Sequence, residues 1–196
     1  MLYIKFKIQD ASKYEDFQKL YEHMVKLRQP NFKLEDEYPP EFDWDNLTEQ
    51  ETANAIETIL DYCEQDKLDF KRYQNLIPNY ARLYFGSYIK QDYDNTIPLS
   101  ESDAIALLNY LEHGFEVDLD KLEKLNEGLN ILEFSTGNFP FGGLERFIMT
   151  LRAYNLIAVE YFDGFKVSKL NWLSPYEYHS IVLPEQTKAY LKTTNH

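Results

Sequence analysis

The stretch LIAVEYFDGFKVSKLNWL (residues 156–173) sets two runs rich in β-branched and aromatic residues, 156–162 and 165–173, on either side of Asp163-Gly164. Asp-Gly suits the positive-φ positions of a type I′ turn, so the stretch predicts a β-hairpin. A third run, YHSIVL (178–183), extends the hairpin to a strand meander. Pro184 then fits the first turn of a closing helix, PEQTKAYLKT (184–193), because a helix has no partner for the amide that proline lacks.

Working outward from the hairpin, LNILEF (129–134) reads as a buried strand, followed by the loop STGNFPFGG (135–143) and the helix LERFIMTLRAY (144–154). At the other end of the chain LYIKFKI (2–8) alternates, with Leu2, Ile4, Phe6 and Ile8 on one face of a half-buried strand. The segment between has the period of helices. Ser12 with Glu15 fits a capping box before the stripe Phe17, Leu20, Met24, Leu27, and Pro30 stops it.

Residues 29–47 have three prolines and no period, and read as a long surface loop. Thr48 with Glu51 caps a helix over 49–64, whose predicted apolar face is Ala53, Ile56, Ile59, Leu60 and Cys63. Asp69 begins a further helical stretch that Pro78 kinks or breaks, Ser100 with Asp103 starts another, and Gly114 stops it. A short helix is expected over 119–127, ending at Gly128. The expected fold is α+β: one domain over 1–196, a mostly helical N-terminal half, and a sheet of four or five largely antiparallel strands ending in the meander.

Composition bounds the function. The 196 residues are 44% hydrophobic and 16% aromatic, ample for a core. The start MLYIKFKIQD lacks the features of a secretory signal, and charges interrupt every apolar run, so a cytosolic protein with no membrane contact is expected. Cys63, the sole cysteine, has no intramolecular disulfide partner and is expected to be a small buried hydrophobe. Net charge is −13, and its placement is more informative than its size: residues 35–69 hold 13 acidic side chains and one basic, while the other 161 residues hold 20 acidic and 19 basic. So local an imbalance opposes direct binding of nucleic acid and favours a cationic partner.

Within the acidic segment Asp36, Glu37, Asp43 and Asp45 are interleaved with Tyr38, Phe42 and Trp44. A merely solvated surface needs no large rings, whereas an interface uses them as anchors and uses charge for steering. These seven residues are the expected partner-binding set. The loop offers a second candidate, an anion cradle formed by Gly137, Asn138, Gly142 and Gly143 with Glu145 and Arg146 of the following helix. Its phenylalanines and its lack of a Walker lysine favour a plain structural turn. The histidines are too scattered for a metal site, Thr48 stands where a calcium loop needs glycine, and no hydrolase or kinase string occurs, so neither a metal nor a cofactor is expected.

The leading expectation is a small acidic cytosolic protein that neutralises a basic protein partner, a toxin or nucleic-acid-binding domain, as bacterial immunity proteins and antitoxins do. The alternatives are an enzyme or small-ligand sensor sited at the 135–143 loop, a nucleic-acid mimic, and a structural subunit of an assembly.

Overall fold

The computed structural model describes residues 1–32, 34, 40–64, 68–92, 99–114, 117–136 and 143–194. Strand β1 (Leu2–Ile8) leads into helix α1 (Ala11–Leu27). The cap of α1 is Asp10 rather than Ser12: the Asp10 carboxylate accepts the backbone N–H of Ser12 at 3.0 Å and its hydroxyl at 2.7 Å. A carboxylate two residues before the first free amide does the work expected of the serine. A short 3-10 turn at Trp44–Asn46 precedes α2 (Glu49–Glu64). Thr48 and Glu51 form the expected reciprocal box at its start, with Thr48 N–H donating to Glu51 at 2.8 Å and Glu51 N–H to Thr48 Oγ1 at 3.4 Å.

The stretch broken at Pro78 is two helices, α3 (Leu68–Leu76) and α4 (Asn79–Lys90), with Pro78 in extended backbone between them. Helix α5 (Glu101–His113) is capped by Ser100 and ends at Gly114. The next element corrects the expected helix at 119–127. It is a strand, β2 (Asp118–Asn126), turning through Glu127-Gly128 into β3 (Leu129–Ser135). Leu119 pairs with Phe134 and Leu122 with Leu132, so two leucines three apart lie on one face because Asp120 is an extra, bulged residue. The bulge reproduces helical spacing in a strand.

Helix α6 (Leu144–Ala153) crosses to β4 (Leu156–Phe162), β5 (Val167–Trp172) and β6 (Tyr178–Val182), and α7 (Pro184–Thr194) closes the chain. The hairpin is present, but its turn is not the expected two-residue type. Phe162 pairs with Val167 across the four residues 163–166. The Asp163 carboxylate closes the turn, accepting the N–H groups of Phe165 and Lys166 at 2.9 Å each, while Gly164 takes φ 95°.

Among the described residues the sheet has six strands in the order β2-β3-β1-β4-β5-β6, all pairs antiparallel, one strand more than expected because of β2. β1 lies at the centre, between two strands joined by α6. Its Leu2, Ile4 and Phe6 face the main core with Phe17, Leu132 and Leu156, beneath α1 and α3–α6. Tyr3 faces the other side, where Ile131, Phe162 and Val167 are covered by Leu183, Tyr190 and Leu191 at the start and within α7. β1 is thus buried on both faces over its first half, where one buried face was expected.

Candidate functional site

Three of the partner-binding residues expected from the sequence, Asp36, Glu37 and Tyr38, lie outside the described residues. The other four are contiguous, with Asp43, Trp44 and Asp45 exposed and Phe42 half-buried beside them. The 3-10 turn holds Asp43, Trp44 and Asp45 at the surface, with the Asn46 side-chain amide donating to Asp43 at 2.8 Å. Trp44 is 48% exposed and packs edge-to-face on half-buried Phe42, ring centroids 5.6 Å apart. That contact orients an indole which no core residue needs.

Helix α2 continues this surface, and of its predicted apolar face only Ile59 lies on the more covered side among the described side chains. Its buried side is Ala55, flanked by half-buried Thr52, Ile59 and Tyr62. Of the predicted apolar face, Ile56 is 48% and Leu60 56% exposed, and Ala53 is also exposed; the Cys63 side chain lies outside the described residues. Two apolar stripes run side by side on α2: Ala55, Ile59 and Tyr62 lie on the more covered one, and Ile56 and Leu60 on the exposed one. Glu49, Glu57 and Asp61 surround Ile56 and Leu60 and are exposed. At the N-terminal end Glu51 is held below its ordinary range by its hydrogen bonds from Thr48. The result is one stretch of the chain, from Asp43 to Asp61, in which exposed carboxylates alternate with the exposed Trp44, Ile56 and Leu60.

Of the 135–143 loop, Gly137, Asn138 and Gly142 lie outside the described residues. Gly143 adopts φ 82° and begins α6. A Cβ there would come within 2.9 Å of Arg146 Nη2, so the position needs glycine for its backbone conformation and for space. Arg146 is 5% exposed and turned inward. Its Nη1 donates to the carbonyls of Tyr110, at 2.8 Å, and of Gly114, which end α5. Burial pushes its pKa down to about 10. The guanidinium clamps the C-terminus of one helix to the N-terminus of another, a structural role. Glu145 is exposed and accepts the Tyr178 hydroxyl from β6.

The structure also assembles a cluster for which the sequence has no signal. Glu112 of α5, 1% exposed, lies 2.6 Å from His23 Nε2 of α1 and 2.8 Å from Arg72 Nε of α3, and Arg72 is paired with Asp69 at 2.8 Å. Its partners are 89 and 40 residues away, beyond the reach of any spacing motif. Among the described residues no group of three or more histidine, cysteine or acidic side chains has the arrangement of a metal site, and no helix is long and apolar enough to cross a membrane. Compared with protein-family models, curated proteins and solved structures, the chain finds no match.

Proposed function

We propose that this chain is a small acidic binding protein that neutralises a basic protein partner, in the manner of bacterial immunity proteins and antitoxins. The supporting observation is the exposure of Trp44, Ile56 and Leu60 among carboxylates along one continuous segment. Exposing large apolar side chains costs hydrophobic free energy, and grouping them within an acidic surface matches the anatomy of an interface whose centre is apolar and whose rim is charged. The acidic rim selects a cationic partner and repels a second copy of the chain, so self-association through this surface is disfavoured.

The experiment is a pull-down from the native host at low ionic strength, with the captured basic protein then purified for binding kinetics. Wild-type association should slow steeply as salt rises. Asp43→Asn with Asp45→Asn should lower the association rate, whereas Trp44→Ala and Leu60→Ala should mainly speed dissociation, each costing on the order of 2 kcal/mol if it is an anchor. A captured partner that is indifferent to salt and to all four substitutions refutes the reading.

A further inference from the structure

We infer that the cleft between α1, α4 and the end of α6 binds a small organic anion carrying a flat ring. The cleft, of about 320 Å³, is within the size range of small-molecule sites, and its lining includes Lys13, Tyr80, Tyr84, Arg152, Asn155 and Tyr176 but no carboxylate. In a chain of net charge −13 that composition runs against the average. Nearby acids are already engaged: Asp16 accepts the Tyr80 hydroxyl at 3.1 Å and pairs with Lys19 at 3.0 Å, Asp10 caps α1, and Glu145 holds Tyr178. Lys13 and Arg152 form no ion pair among the described residues.

Both cations are held in place by rings. Lys13 Nζ lies 4.8 Å from the Tyr80 centroid, and the Arg152 guanidinium lies 5.2 Å from that of Trp172. Arg152 Nε is buried with no hydrogen-bond partner among the described residues, so the terminal nitrogens of the guanidinium are the ones left to meet an acceptor in the cleft. Asn155, at φ 57° just past α6, adds an amide to the same lining. Tyr84 and Tyr176 also line the cleft, largely buried and stacked on each other with centroids 4.9 Å apart and planes 26° from parallel. The Tyr84 hydroxyl donates to the Pro175 carbonyl at 2.9 Å, which fixes that ring before any ligand arrives. Two cations among preformed tyrosine rings select a carboxylate or phosphate borne on an aromatic ring. The inference is independent of the partner reading, and the cleft shares no residue with the 135–143 loop.

The test is a ¹⁵N–¹H correlation titration of the full chain with phenyl phosphate and benzoate, using benzylamine as the cationic control. Phenyl phosphate or benzoate should give saturable shifts of the Asn155 and Tyr176 amides and bind at least about tenfold tighter than benzylamine, although the charge of the whole chain favours the amine. Whichever anion binds tighter identifies the acid group. Lys13→Gln, at a half-buried position outside the core, should weaken anion binding about fivefold without altering the rest of the spectrum, and Arg152→Gln should weaken it further. Benzylamine binding as tightly as both anions, an absence of saturable shifts at these amides, or anion binding unchanged in both variants would overturn the inference.

Discussion

Glu112 stands on a helix whose neighbouring Leu107, Leu108 and Leu111 are core residues, and it is as buried as they are. A carboxylate can be tolerated there only because His23 and Arg72 face it from two other helices. Burial alone pushes its pKa up. The hydrogen bonds and charges of His23 and Arg72 outweigh that effect and hold it below the ordinary carboxylate range. A depressed folded-state pKa contributes stability that is fully present above the unfolded-state value and is lost as pH falls through the folded-state one. Glu112→Ala removes the carboxylate that His23 and Arg72 share and should cost about 3 kcal/mol at neutral pH, read from urea unfolding. The cost should shrink as the solution is acidified below the ordinary carboxylate range. A cost that does not change with pH would assign the loss to packing rather than charge.

At the scale of elements, β2 carries the sharpest difference between a strand and the helix its leucines suggest. On a helix Leu119, Leu122 and Leu125 would share one face. On the bulged strand Leu119 and Leu122 pack against the main core while Leu125 is 44% exposed, since Leu125 is itself an extra residue at the second register shift. Leu122→Asn should therefore cost about 1–3 kcal/mol and Leu125→Asn no more than about 0.5 kcal/mol. Equal costs at both positions, measured by denaturant unfolding, would contradict the strand. Helix α2 has the converse history. Its boundaries and its capping box are legible because Thr48 and Glu51 are three residues apart, yet the direction it faces is not. Ala55 is buried while Ile56 and Leu60 are exposed, an order that a pattern of apolar residues reverses.

Over the whole molecule, the charge divides into one acidic surface and a nearly balanced remainder. Asp43, Asp45, Glu57 and Asp61 form no ion pair among the described residues, so no cation offsets their like charge, although Asp43 accepts a hydrogen bond from Asn46. Replacing all four by Asn or Gln should leave the circular dichroism spectrum unchanged and shift stability by no more than about 0.5 kcal/mol per site. What gain there is should be largest near 0.01 M salt and vanish near 1 M, as the Debye length falls from about 30 Å to about 3 Å. An unfolded variant would mean that the acids are structurally paired.

The sequence by itself determined the elements whose causes are local: the hairpin around Asp163, the box at Thr48, the break at Pro78, the cap at Ser100, and the acidic segment with Trp44 exposed within it. Each depends on residues within a few positions of one another, and that is the range over which periodicity and capping chemistry act. Tertiary structure alone decided which stripe of α2 is covered, that β1 enters the middle of the sheet, that Arg146 turns inward to hold α5, and that Lys13, Arg152 and the Tyr84–Tyr176 pair converge on one cleft. These depend on contacts between residues distant in the chain, where close packing and the need to satisfy buried polar groups select among faces that look equivalent in a linear pattern.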